Sequence, residues 1–163
     1  MNSHGFPLEL ESDQLAKICT SQRWQQRMKA AMPYEHAPAF IQAAKQAFAF
    51  LEEADWLEAF AGHPMIGDLT SLREKYSQGK SLSEQEQAQV NQASDQVLKE
   101  LLELNYRYRD KFGFIFIVCA TNKSAQEMLT ILKERINHSR EEELLLAALE
   151  QQKISHIRMG AYL

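Results

Sequence analysis

"FGFIFIVCA", residues 112–120, determines whether this chain contains a sheet. On propensity alone the β-branched and aromatic run reads as a buried strand. A strand needs a neighbour, because an isolated one leaves backbone N–H and C=O groups unpaired, which is costly in an interior. No second strand-like run occurs anywhere in the sequence. The segment is therefore expected to be extended and buried, threaded through helices, with backbone groups on offer to a ligand. The expected fold class is all-α: a single-domain helical bundle with one extended segment near 112–120.

Helical periodicity dominates on both sides of that segment. Upstream, Glu84 to about Arg109 forms the cleanest helix, with Val90, Ala93, Val97, Leu101, Leu104 and Tyr108 in one inward stripe. Ser12 is placed to cap a short helix through Leu15 and Ile18. The stretch 39–60 opens after Pro38 and breaks around Glu53–Asp55, where its apolar positions change phase. Asp68 caps "LTSLREKY" ahead of the "SQGK" turn. Downstream, Ser124 with Glu127 and Ser139 with Glu142 have capping-box spacing, the second opening a last helix that ends near Met159. Glu141–Glu143 then sit in a first turn, where the helix dipole favours acids, and read as a solvated start rather than a metal site.

With 163 residues, 45% of them hydrophobic, the chain can build one real core. A net charge of −4 with interspersed signs argues against a nucleic-acid footprint. Arg107, Arg109 and Lys111 read as a solvated helix end. No apolar run approaches the roughly 18 residues of a membrane span. The first residues lack the basic and apolar regions of a signal peptide, and the cytoplasm is the expected compartment. The order of residues 1–10 is left open. Cys19 and Cys119 suggest reduced thiols, neither a disulfide framework nor a zinc site.

Three places invite chemistry. In "AFAGHPMIGD", residues 59–68, His63 lies in an elbow punctuated by Gly62, Pro64 and Gly67. Pro64 pushes His63 out of helical geometry, and histidine exchanges protons near neutral pH. An ordinary turn histidine is the alternative. In "SLSEQEQ", residues 81–87, Ser81 with Glu84 has capping spacing; Glu84 reads as a cap, as a carboxylate serving an anion at the helix start, or as both. Arg158 falls near a line through Ala147 and Ile154, and so either snorkels outward or meets a buried anion. His156 lies off that line.

In this order, "SQRWQQRM", "WLEAFAGHPMIGD", "SLSEQ", "NYRYRDKFGFIFIVCA" and "ERINHSREEELLLAALEQQKISHIRM" resemble the 2-oxo-4-hydroxy-4-carboxy-5-ureidoimidazoline (OHCU) decarboxylases over residues 18–159. The resemblance implies an all-helical, usually dimeric enzyme using neither metal nor organic cofactor. Its implied substrate is OHCU, converted to (S)-allantoin and carbon dioxide in urate breakdown. It places His63 and Glu84 on catalytic positions. Pro64, Ser81, Gln85, Phe116, Ile117, Val118, Cys119, Ala120 and Arg158 fall on substrate-binding positions. Ile115, Met65 and Ala88-Gln89-Val90 depart from many relatives, which bears on pocket shape more than on the reaction. An inactive helical interaction module, or an enzyme for a related ureido or imidazoline acid, are the alternative readings.

Overall fold

The computed structural model describes residues 5–65, 68–76 and 84–163. Among these, eight α-helices and a closing 3-10 turn account for the regular structure: α1 Ser12–Ile18, α2 Gln22–Ala30, α3 Ala37–Phe48, α4 Glu53–Ala61, α5 Leu69–Lys75, α6 Glu84–Phe112, α7 Ala125–Arg135 and α8 Arg140–Met159. No strand occurs among the described residues; the nearest approach is a single antiparallel bridge, Leu8 to Tyr34. That bridge gives order to part of the N-terminal segment, and Leu8 and Leu10 are buried. No helix among the described residues is long and apolar enough to cross a membrane.

The chain divides into two compact units. One contains residues 5–63, 117–119 and 144–163. Here α2 packs against α1, α3 and α4. Its aromatic core runs from Trp24 through Phe48, 5.4 Å away, to Trp56, which stacks on Phe48 at 5.6 Å. The helices begin where side chains pair otherwise orphaned N–H groups. Ser21 accepts from the Trp24 N–H, and the His36 ring accepts from the Ala39 N–H. At α1 the cap is Glu11, reciprocated by Gln14, rather than the expected Ser12. The break inside 39–60 comes at residues 49–52, slightly before the expected place. Glu52 and Asp55 form a capping box that starts α4 afresh.

The other unit contains the remaining described residues, with α5 and α7 both packed on α6. Asp68 caps α5 as expected, accepting from the Ser71 N–H at 2.7 Å. Among the side chains described along α6, those of Leu98, Leu101, Tyr108 and Phe112 are buried. Leu101 and Tyr108 are thus inside as expected, Val97 and Leu104 are only half-buried, the side chains of Val90 and Ala93 lie outside the described residues, and the helix runs about one turn past Arg109. Tyr108 gathers Phe112, Phe114 and Phe116 around its ring at 4.5, 5.9 and 5.4 Å. Downstream, Ser124 and Glu127 form the expected capping box, and Ser139 accepts from the Glu142 N–H.

One reading of the acidic run needs correction. Glu141 and Glu142 are exposed, but Glu143 is wholly buried. It accepts from the Tyr108 hydroxyl (2.5 Å), the Arg135 guanidinium (2.8 Å) and the His138 ring (2.8 Å). Hydrophobic patterning treats a glutamate as surface, whereas three donors make this one an interior ion.

Residues 115–120 are neither helix nor strand, as expected of the run 112–120. Phe112, Phe114, Phe116, Ile117 and Cys119 are buried, so apolar side chains rather than a ladder hold the segment inside.

Candidate active site

His63 follows the last turn of α4, and its N–H donates to the Phe60 carbonyl at 3.1 Å. Gly62 before it has an ordinary φ of −75°, so glycine is there for space and not for backbone freedom. A Cβ on Gly62 would lie 2.1 Å from Thr20 Oγ1. That hydroxyl reaches the Glu58 and Ala59 carbonyls at 2.9 and 3.2 Å, satisfying the end of α4. The elbow is therefore clamped from α1's side of the same unit, and His63 emerges at a fixed point.

The imidazole is half-buried and held at both ring nitrogens. Nε2 lies 2.5 Å from Gln151 Oε1, and Nδ1 lies 3.4 Å from an Arg158 guanidinium nitrogen. Burial lowers the basicity of the ring below its usual value of 6.5; the Gln151 contact opposes that shift and the Arg158 charge adds to it. On balance these surroundings favour the neutral imidazole.

Arg158 is exposed, and neither expected alternative describes it fully. It does not simply snorkel, and no buried anion is needed to hold it. One guanidinium nitrogen donates to the Lys17 and Ile18 carbonyls, at 3.2 and 3.3 Å, at the C-terminal end of α1. The last carbonyls of a helix lack intrahelical partners and carry partial negative charge, so they suit a cation. A cavity of about 440 Å³ adjoins this arrangement, lined by Lys17, Ile18, Thr20, Gly62, Arg158 and Tyr162 among others.

The remaining site candidates are placed as follows. Pro64 is exposed beside His63 in the chain. Ser81, and the side chains of Glu84 and Gln85, lie outside the described residues, although Glu84 does open α6. Phe116 is buried beneath the Arg135 guanidinium, 4.9 Å from the ring centroid. Ile117 is buried; Val118 and Ala120 are half-buried. Cys119 corrects one expectation, because its N–H is already taken by Glu150 Oε1 at 3.0 Å and is not on offer to a ligand. Both cysteines are buried and not joined in a disulfide, and burial pushes the Cys19 thiol up to about 11, which suits a structural thiol rather than a nucleophile. His156 is exposed, off the line, as expected.

Of the basic cluster, Arg107 pairs with Glu103 at 2.8 Å and Lys111 donates to the Ile136 carbonyl at 2.6 Å. These local partners suit a helix end. Among the described residues, no group of three His, Cys, Asp or Glu side chains is positioned to hold a metal ion.

Sequence reasoning missed Gln151 and Ser155, both fully buried on α8. The buried positions of this helix are Glu143, Ala147, Ala148, Gln151, Ser155 and Met159, with Ile154 only half-buried. Two polar residues lie four apart between Ala147 and Met159 on one face, and that spacing was the available signal.

An all-helical frame in which a histidine meets a guanidinium on one ring nitrogen and an amide on the other defines a site suited to proton exchange beside an anion. The OHCU decarboxylase family model matches residues 7–160, and the chain belongs to that family. It is 38% identical to the uric acid degradation bifunctional protein TTL of Arabidopsis thaliana, over 94% of this chain and 47% of that one. Thus the chain spans about half the length of the plant relative. A 2-oxo-4-hydroxy-4-carboxy-5-ureidoimidazoline decarboxylase of Halalkalicoccus jeotgali is 27% identical, over 82% of this chain and 73% of that one. Among solved structures, an OHCU decarboxylase crystallised in the presence of (S)-allantoin superimposes with a TM-score of 0.73 and 34% identity. That alignment covers 93% of this chain and 96% of the other.

Proposed function

We propose that this chain is a carboxy-lyase that removes carbon dioxide from OHCU to give (S)-allantoin, with His63 exchanging the proton. The observation that carries the reading is the meeting of His63 and Arg158, two residues singled out by family position and 95 apart in sequence, at 3.4 Å. The solved relative that accompanies (S)-allantoin, covered almost end to end, supports the choice of ligand.

Breaking the bond to the carboxylate carbon leaves an electron pair on a ring carbon, delocalised into the adjacent carbonyl and imine system. The protein must anchor the anion and return a proton to one face. Arg158 supplies the anchor. A carboxylate drawn to it offsets the cationic charge that depresses the imidazole, so His63 gains basicity and takes up a proton. That proton passes to the neighbouring, ureido-bearing ring carbon as carbon dioxide departs, the hydroxyl left on the decarboxylated carbon yields its proton to the imine nitrogen and becomes the carbonyl, and imidazole returns to its neutral form. Delivery from one side gives one enantiomer.

Glu84 and Gln85 are assigned to orienting the substrate's hydroxyl and ureido groups, with Pro64, Ser81 and the segment Phe116–Ala120 completing its contacts. These assignments rest on the family positions. We further propose that the chain acts as one domain, without a cofactor, in the cytoplasm and as a homodimer. The exposed Leu145 and Leu149, one turn apart on α8, support the last point.

The test is circular dichroism of OHCU freshly generated from urate, with and without the protein. Rapid growth of the (S)-allantoin signal is expected. Slow formation of racemate at the spontaneous rate, from a folded sample, would overturn the reading and favour a related acid or a binding role.

A further inference from the structure

Behind His63 runs a chain of hydrogen bonds with fixed ends. At one end the Ile18 carbonyl only accepts, and it takes the Ser155 hydroxyl at 2.9 Å. Ser155 Oγ in turn accepts from the Gln151 amide nitrogen at 3.0 Å. Gln151 therefore presents its oxygen to His63, which must donate from Nε2 across 2.5 Å. At the other end Arg158 only donates, toward Nδ1. An acceptor-only end and a donor-only end allow one direction of donation throughout. Turning the Gln151 amide over would set N–H against N–H at His63 Nε2 or, with the ring in its other tautomer, Nδ1–H against the Arg158 donor.

We propose that Gln151 is a positioning residue: with Ser155 behind it, Gln151 holds His63 in the Nε2–H tautomer, so that Nδ1, beside Arg158, is the atom that exchanges the proton. This deepens, and rests on, the proton role given to His63 above. Gln151 and Ser155 are both completely buried. A buried amide and hydroxyl are costly unless every group is paired, and apolar side chains would fill the same face of α8 more simply. Ring orientation and tautomer are what the polar pair adds. A neutral histidine is useful only when its lone pair faces the reacting group, and a partner on the far nitrogen is the usual way to arrange this. Arg158 is the charged side chain at the imidazole, and it meets Nδ1.

The experiment is long-range ¹H–¹⁵N correlation spectroscopy of the full chain, with His63 assigned by its loss in His63→Ala. The resting protein is expected to show a pyrrole-type Nε2 and a pyridine-type Nδ1. Gln151→Leu is expected to release the tautomer, lower kcat on the order of 10²-fold and move the alkaline limb of the kcat/KM–pH profile, where the proton donor is lost, downward. Gln151→Glu keeps an acceptor at Nε2 and is expected to preserve the tautomer and move that limb upward. A purely structural role would lower the melting temperature without this opposed pair of shifts. An Nδ1–H tautomer in the resting protein would overturn the proposal, as would a Gln151→Leu variant with unchanged tautomer and pH profile. Should Gln151→Leu fail to fold, the wild-type tautomer and Ser155→Ala, expected to let the amide turn, still decide. Because the tautomer is read without substrate, its result is separate from His63→Ala turnover, which tests the proton role itself.

Discussion

Replacing Gly62 by alanine tests whether the elbow that presents His63 is a steric device. The backbone there has φ −75° and would accept any residue, so only space matters. A methyl group would meet Thr20 Oγ1 at 2.1 Å, Cγ2 at 2.4 Å and Cβ at 2.8 Å. Thr20 has no long stem to bend, and its hydroxyl is committed to the Glu58 and Ala59 carbonyls. Overpacking of this kind costs about 1–3 kcal/mol, and displacing the hydroxyl about 1 more. Stiffening the unfolded chain returns about 0.4–1 kcal/mol. The net expectation is a loss of about 2–3 kcal/mol, which for a chain of this size lowers the melting temperature by roughly 4–12 °C. Turnover should fall further than stability, because a shift of about 1 Å at His63 is enough for a loss on the order of 10²-fold. Calorimetry and steady-state turnover of Gly62→Ala, Thr20→Ala and the double variant form the assay. Thr20→Ala removes the two closer contacts and leaves the one at 2.8 Å. The double variant should accordingly be less destabilised than the sum of the singles, by about 1 kcal/mol or more. An unchanged melting temperature in Gly62→Ala, or strict additivity in the double, would refute the steric account.

Other expectations follow from the same structure. His63 has a folded pKa lowered from 6.5, chiefly by burial, so its contribution to stability is complete above about 6.5 and is lost as pH falls through the folded value. His63→Asn should therefore lose less stability than wild type between neutral pH and mild acid, as urea unfolding would show; identical losses would count against the lowered pKa. Glu143→Leu strands the buried Arg135 and should cost about 3–5 kcal/mol. Adding Arg135→Met should restore much of that, and a double variant no better than the single would sink the ion-pair explanation. Glu84→Gln keeps a side chain able to cap α6, so a kcat loss of about 10²–10⁴-fold with an unchanged melting temperature marks a catalytic group; a change in stability alone marks a cap.

Much of this architecture was legible because its signals are local. Asp68, Ser124 and Ser139 announce their helices through one side chain and an N–H three residues on. The absence of a partner run for residues 112–120 correctly argued against a sheet. The errors fall where a distant group decides. Glu143 is interior because Tyr108, Arg135 and His138 converge on it, and no window around the glutamate contains Tyr108. Cys119 has its N–H occupied by Glu150, on another element. Gln151 and Ser155 were passed over because a hydrophobic stripe is sought in apolar residues, whereas here the middle of the stripe is polar and paired. His63 stood out through its flanking Gly62 and Pro64, but its partners Gln151 and Arg158 come from α8 and could not be read locally.

The way Arg158 is held bears on the chemistry proposed for His63. A carboxylate partner would orient the guanidinium but also neutralise it. The Lys17 and Ile18 carbonyls orient it through partial charges and leave its full positive charge in place. That charge does two opposed things in sequence. Without ligand it adds to burial in keeping the imidazole neutral. With an anionic ligand it is the attraction that brings a carboxylate to the site, and the carboxylate then offsets it, favouring imidazolium. On this reading the histidine acquires its proton when there is something to protonate. The helix end that supplies the carbonyls also terminates the hydrogen-bond chain through Ser155 and Gln151, so one short element, α1, orients both the anion anchor and the tautomer of the group beside it.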